Sequence, residues 1–102
     1  MDLTGLQKGM MVVAAAEQIE EGDAISVAKL LEINKNQGRV KWFTRKQQTR
    51  KFYDLGKNSD WIELDTLVHY DFKLNQDYSM PRKVLKKVTE KMGKDEDDIF
   101  GA

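Results

Sequence analysis

The sequence predicts a mainly β fold, a small antiparallel barrel followed by a C-terminal α-helix and a short acidic tail. Strand-like segments recur at roughly ten-residue spacing between residues 9 and 78, separated by Gly-containing turns and with no long helical pattern between them. After Pro81 the apolar residues change to helical spacing. A chain of 102 residues fits one domain, and its lack of Cys excludes a disulfide framework and thiolate metal sites.

The first half of the chain contains three strand-like segments. After a lead-in over residues 1–8, the first is the uncharged apolar run at 10–16, and an acidic loop follows it. Residues 24–33 alternate in polarity and are rich in β-branched side chains, which favours a second strand. Residues 34–38, Asn-Lys-Asn-Gln-Gly, predict a tight turn because Asn and Gly tolerate left-handed backbone angles. Residues 39–44 then form the partner strand.

The second half contains two further strands, a helix and a tail. Short strands are predicted at 51–55 and 61–68, with a Gly-containing turn between them. The barrel ends near residue 78, and residues 79–93 form a helix in which Pro81 lies near the first turn and Gly93 is the stop. Val84, Leu85 and Val88 fall on one face of that helix, which we expect to dock on the barrel. Residues 94–102 are acidic and predicted to be disordered.

The strand alternation also predicts a core. In residues 39–44, Val40 and Trp42 share one face, whereas Arg39, Lys41 and Phe43 share the other. We expect one interior, lined by Ile25, Val27, Leu31 and Val40.

Charge is distributed unevenly along the chain. The totals balance at 17 basic and 17 acidic residues, but residues 35–58 hold eight basic side chains against a single Asp. Such a segment attracts anionic partners to one face of the protein. The candidate nucleic-acid contacts are Arg39, Lys41, Arg45, Lys46, Arg50 and Lys51. An acidic protein partner, or a solvated barrel edge whose cations deter strand pairing, are the alternatives.

Four stretches of the chain resemble the strand series of a known barrel family: residues 9–14 (GMMVVA), 25–33 (ISVAKLLEI), 38–43 (GRVKWF) and 60–65 (DWIELD). Together they are similar to an SH3-like barrel of the Tudor/chromo type, with a fainter likeness to bromo-adjacent-homology and KOW modules. The resemblance covers residues 9–72. It implies a non-catalytic reader that binds a peptide, often one with methylated Lys or Arg, in an aromatic cage. The likeness to KOW modules implies nucleic-acid binding instead.

The predicted peptide site combines aromatic side chains with an acidic loop. Phe43 alternates away from the core residues beside it, and Phe52 and Tyr53 must face opposite ways. Aromatic faces attract cations, and carboxylates would add negative charge for a basic peptide. The candidate peptide contacts are Phe43, Phe52, Tyr53, Trp61, Glu20, Glu21 and Asp23. The alternative is that the large aromatic residues, Trp42 above all, fill the barrel.

No enzyme motif is present in the sequence. His69 is the single His, the Gly residues form no phosphate-binding cluster, and no metal or cofactor is predicted. The apolar run at 10–16 is too short to span a bilayer, so we expect an intracellular protein, in the cytoplasm or the nucleus. The partner is predicted to be a protein or peptide, with DNA or RNA as the alternative. A third possibility is a small adaptor or inhibitor that docks on a larger protein.

Overall fold

The computed structural model describes residues 2–16, 22–56 and 58–101. Its main feature is a five-stranded antiparallel sheet with the strand order β6–β3–β2–β1–β7. These strands are β1 (Met11–Ala15), β2 (Ile25–Asn34), β3 (Gln37–Trp42), β6 (Ser59–Glu63) and β7 (Leu67–Phe72). A separate two-stranded ribbon pairs β4 (Thr44–Arg45) with β5 (Phe52–Tyr53). A 3-10 turn (Leu64–Thr66), α1 (Arg82–Met92) and α2 (Glu96–Ile99) complete the described elements. The prediction of one strand over 61–68 is therefore wrong, because the 3-10 turn divides it between β6 and β7.

The sheet is buried on both faces, which explains the continuous apolar run in β1. Val12 and Val13 follow each other in β1, so they point to opposite faces, and both are fully buried. The helix-side core contains Val13, Ile25, Val27, Phe52, Val68, Met80, Val84, Leu85, Val88, Ile99 and Phe100. The opposite core contains Val12, Ala14, Ala28, Leu30, Val40, Leu64 and Leu67.

The prediction of a single interior is therefore wrong. Ile25 and Val27 belong to the helix-side core, whereas Val40 belongs to the opposite core. Leu31 is only half-buried, and the β2–β3 pairing is irregular between Leu30 and Glu32. Val40 pairs with Leu30 and shares its face, whereas Ile25 and Val27 point to the other face, and the bulge alters the alternation only after Leu30. The expected split within β3, with Arg39 and Lys41 on the face away from Val40, agrees with the register.

The sheet must curl strongly, because its two edge strands are joined by the three-residue 3-10 turn. Edge strands of a flat five-stranded sheet would lie about 19 Å apart. The chain from Glu63 to Leu67 reaches at most about 14 Å when fully extended. The Leu64 N–H also donates a 2.8 Å hydrogen bond to the carbonyl of Asn36, which ties the 3-10 turn to the β2–β3 hairpin.

Gly38 allows this close approach. The hairpin reverses at Lys35 and Asn36, with Lys35 at φ 58°, so Gly38 lies inside β3 and not in the turn. A Cβ atom at Gly38 would come within 2.8 Å of methyl groups of both Leu30 and Leu64, which are themselves buried. The residue is thus required for packing of the 3-10 turn on the sheet.

Replacing Gly38 with Val is expected to lower the free energy of unfolding by about 1–3 kcal/mol, because the added side chain overpacks a closed core. Chemical denaturation measures the effect. Gly22→Val is the matched control, since a Cβ there meets nothing within 4 Å. Equal denaturation midpoints for the two variants would show that Leu30 and Leu64 do not constrain position 38.

The structure confirms the predicted C-terminal helix, which spans residues 82–92. Helix α1 follows Pro81 and ends at Gly93, which adopts a left-handed conformation with φ 65°. Val84, Leu85 and Val88 are buried, as expected. It is the amphipathic spacing that places these three residues on the core.

The predicted disorder of the tail is wrong for residues 94–101. Residues 96–99 form α2, Ile99 is fully buried and Phe100 is 5% exposed, and both side chains belong to the helix-side core. The Ala24 N–H donates a 2.7 Å hydrogen bond to the Ile99 carbonyl. The acidic composition suggested disorder, but the apolar pair buries enough surface to order the segment.

Candidate functional site

The four aromatic residues predicted for the peptide site do not form one surface in the structure. They are Phe43, Phe52, Tyr53 and Trp61. Phe52 is 2% exposed in the helix-side core, and its ring centroid lies 6.2 Å from that of Phe100. Phe43 is half-buried against the same core, and its N–H donates to the carbonyl of Val27. The prediction that Phe52 lines a surface groove is therefore wrong. Ribbon pairing decides this, because β5 must direct one of its two side chains inward.

Tyr53 follows Phe52 in β5, so its side chain points to the opposite face of the ribbon, where it contacts Tyr78. Tyr78 is not among the predicted site residues. The Tyr53 ring centroid lies 5.1 Å from that of Tyr78, which is 53% exposed. The two tyrosines form one small aromatic surface beside the ribbon. No local pattern indicates the pairing, because 25 positions of chain separate the two residues.

Trp61 lies on β6, at the edge of the large sheet, and is 47% exposed. It pairs with Arg39 of β3, so both side chains share one face of the sheet. The Arg39 guanidinium contacts Glu32 at 2.5 Å and donates to the Ser59 hydroxyl at 3.1 Å. The indole of Trp61 is the most exposed aromatic ring of the five-stranded sheet, and it lies beside the Arg39–Glu32 ion pair.

The strand that carries Trp61 is acidic. Residues 59–66, which span β6 and the 3-10 turn, contain Asp60, Glu63 and Asp65 and no Lys or Arg. Asp60 accepts a 2.6 Å hydrogen bond from the indole N–H of Trp42, and Glu63 accepts one of 3.0 Å from Gln37. These contacts fix two carboxylates along an edge strand. They leave each of them exposed to solvent.

A recess of about 480 Å³ opens at the end of this strand. Glu63 and Asp65 lie on its polar side together with Lys35 and Asn36. Its apolar lining comes from Leu3, Leu6, Ile33 and Leu64. An apolar floor beside two carboxylates suits a long aliphatic side chain that ends in a positive charge.

The candidate nucleic-acid contacts between Arg39 and Lys51, here called the basic stripe, are largely neutralised within the protein. Arg45, whose side chain is 6% exposed, makes two 2.8 Å hydrogen bonds to Asp23 and also donates to the carbonyls of Thr49 and Gly101. Burial alone would raise the pKa of Asp23, but the hydrogen bonds from Arg45 and from the Gly101 N–H outweigh it and lower the pKa. Asp23 thus holds the tail in place and is not available to a peptide.

Other members of the stripe are similarly engaged. Arg50 contacts Glu96 at 2.6 Å and stacks 4.3 Å from the ring centroid of Phe100, and Lys41 contacts Asp54 at 3.1 Å. Lys46 is exposed, and Lys51 is half-buried with a backbone bridge to Ser79. Glu20 and Glu21, which were predicted to contribute charge to the peptide site, lie outside the described residues.

A second basic surface was missed by the sequence analysis. The exposed side of α1 carries Arg82, Lys83, Lys86, Lys87 and Lys91. The signal was present in the sequence, because these cations occupy the helix positions between the apolar residues.

The described ranges contain no group of three or more His, Asp and Glu side chains placed to hold a metal ion. No helix within them is long and apolar enough to cross a membrane. Comparison of the chain with protein-family models, with curated proteins and with solved structures finds no match.

Proposed function

We propose that this chain is a non-catalytic binding module, built on an SH3-like barrel, that takes an extended Lys- or Arg-containing peptide along the edge strand β6. The strand order and the strong curl of the sheet support the barrel. The observation that carries the binding proposal is an edge strand with an exposed Trp and an acidic composition. An edge strand offers backbone N–H and C=O groups to which an extended peptide can add as a further strand.

The charges on β6 determine which kind of strand can pair with it. Asp60 and Glu63 would face like charges if two copies of β6 paired, so self-association along this edge is disfavoured. A peptide with Lys or Arg at alternate positions would instead place its cations on one face of the new strand pair, where Glu63 lies with Trp61. The same residues therefore reject one partner and favour another.

Trp61 is the expected anchor for such a peptide. An exposed indole beside an Arg is the residue combination that dominates measured interface energies, and the indole face attracts cations. The neighbouring Arg39–Glu32 ion pair is partly exposed, and exposed pairs are weak. Glu32 can thus exchange Arg39 for a cation of the peptide at little cost.

The recess beside Glu63 can hold one further side chain of the peptide. The aliphatic part of a Lys or Arg would lie against Leu3, Leu6 and Leu64, with its charge near Glu63 or Asp65. A methyl-ammonium cage requires several aromatic walls around one point. Trp61 makes no ring contact with another aromatic among the described residues, so the proposal is for an unmodified basic side chain.

The test is a titration of the ¹⁵N-labelled protein with a ten-residue peptide of alternating Lys and Thr, compared with an alternating Glu and Thr peptide. We expect amide shifts concentrated at residues 59–65 and at the Trp61 indole with the basic peptide alone. Trp61→Ala is expected to weaken binding at least about tenfold, because hot-spot truncations cost ~2 kcal/mol or more.

The control uses charge reversal at two exposed positions. Glu63→Lys should abolish the shifts, whereas Glu90→Lys, on α1, changes the net charge equally and should leave peptide binding intact. Equal losses for the two reversals would mean that the peptide responds only to net charge. Shifts that map elsewhere would place the peptide on another surface.

A further inference from the structure

The exposed face of α1 is the largest group of uncompensated positive charge on the described surface. Five cations occupy this eleven-residue helix, against Glu90 as its single carboxylate. All five side chains are exposed. Lys83, Lys87 and Lys91 recur every four residues, so their side chains form one row along the helix, with consecutive members about 6 Å apart along its axis.

These cations differ from those of the stripe at 39–51. In that stripe Arg39, Lys41, Arg45 and Arg50 each have a carboxylate partner. Within residues 2–16, 22–56 and 58–101, no carboxylate lies within ion-pairing distance of an α1 cation. An anionic ligand at α1 would displace water and counterions and would not have to break a protein ion pair.

The neighbouring elements favour one side of the helix. Toward β7, a recess of about 300 Å³ is lined by Lys87, Lys91, His69, Val68 and Glu90. Toward α2, a wider recess of about 650 Å³ brings Asp95 and Glu96 near Arg82, Lys83 and Lys86. Glu96 is already bound to Arg50, but these acids still oppose an anion there. The recess facing β7 has one carboxylate, Glu90, against two in the recess facing α2, so the β7 side, with Lys87 and Lys91, is the more favourable one for an anion.

We propose that Lys87 and Lys91, with His69 beside them and Lys83 continuing their row along the helix, bind the phosphate backbone of double-stranded nucleic acid without reading its sequence. A duplex is a stiff polyanion with regularly spaced charges, which suits a rigid linear array of amines. An α-helix is also about as wide as the major groove of a DNA duplex, about 12 Å. This site is separate from the peptide site on β6 and does not depend on it.

Two other polyanions fit the surface less well. Binding to an acidic bilayer through an amphipathic helix needs an apolar face to insert, and Val84, Leu85 and Val88 of α1 are buried in the core. An acidic protein interface would be expected to include aromatic anchors. The exposed face of α1 consists of Arg, Lys, Glu and Thr. Phosphate backbone contact requires only the cations.

The experiment measures binding of a fluorescent 20-base-pair DNA duplex of arbitrary sequence by anisotropy. With three to four phosphate contacts, raising salt from 50 to 200 mM should weaken binding about 40- to 150-fold. A second duplex with scrambled sequence should bind equally. Vesicles of anionic lipid at the same charge concentration should not compete at 50 mM salt.

Paired charge reversals locate the site. Lys87→Glu with Lys91→Glu should weaken duplex binding at least tenfold at 50 mM salt. Lys35→Glu with Lys46→Glu changes the net charge identically at exposed positions outside α1 and should change binding less than threefold. Circular dichroism verifies that both proteins fold.

His69 supplies an independent readout, because it is the only His in the chain. Burial, and then the charges of Lys87 and Lys91, lower the pKa of His69, while Asp71 acts in the opposite direction. A phosphate bound at the row should raise that pKa in an NMR titration. The proposal is overturned if the parent protein does not bind duplex at 50 mM salt, if the two double variants lose binding equally, or if vesicles compete as well as duplex does.

Discussion

Deleting residues 94–102 is expected to remove about half or more of the stability of the domain. Ile99 and Phe100 are buried in the helix-side core, and the loss of a buried Ile or Phe side chain costs roughly 2–5 kcal/mol each. A domain of this size has a free energy of unfolding of about 5–15 kcal/mol. The truncated chain should therefore melt at least about 10 °C below the full chain.

The deletion also removes the hydrogen bonds that the tail makes with Ala24, Asp23 and Arg45. Gly101 provides a carbonyl to Arg45 and an N–H to Asp23, both at 2.8 Å, and Ile99 provides a carbonyl to Ala24. Phe100 and Gly101 both contact Arg45, so the deletion also opens the Arg45–Asp23 ion pair to water and weakens it. This cost adds to the loss of apolar burial.

Thermal denaturation followed by circular dichroism distinguishes packing from charge. Phe100→Ala should reproduce most of the effect, because the Phe100 ring packs on Phe52 and lies under both Arg45 and Arg50. Asp97→Asn with Asp98→Asn removes two exposed charges and keeps the apolar pair, so it should change the melting temperature by a few degrees at most. A truncated protein that melts like the full chain would mean that the tail does not dock.

Val40→Asp is expected to unfold the domain. Val40 is fully buried in the core opposite the helix, between β2 and β6, and pairs with Leu30 and Asp60 in the sheet. An aspartate there would be a buried charge with no cationic partner, which costs several kcal/mol. That cost is comparable with the whole free energy of unfolding.

A matched control for Val40→Asp exists in the same sheet. Ile33 is 42% exposed at the end of β2, so Ile33→Asp introduces the same charge where water reaches it. We expect this variant to fold cooperatively, with a loss of about 1 kcal/mol at most. A cooperative, unshifted melt for Val40→Asp would contradict the assignment of this residue to a closed core.

Features that depend on neighbouring residues could be predicted from the sequence. Gly93 can adopt the left-handed conformation that ends α1, and the spacing of Val84, Leu85 and Val88 places them on one side of any helix that contains them. The alternation in β3 likewise separates Val40 from Arg39 and Lys41 wherever the strand lies. Trp61 is the one residue of the candidate site that the sequence also predicts as a peptide contact.

The sequence by itself determined the first three strands, the C-terminal helix and which residues of β3 and α1 share a face. It did not determine the break at residues 64–66, which divides the strand predicted at 61–68 between the two edges of the sheet. Only the tertiary structure decided which faces are covered, and so whether Phe52 or Tyr53 points to solvent. It also decided which cations are free, since Asp23 lies 22 positions from Arg45 and Glu96 lies 46 positions from Arg50. The periodicity of apolar residues along the sequence indicates to which side of its own strand or helix a side chain points. It contains no information on what the rest of the chain places there, because that depends on contacts between segments distant in sequence.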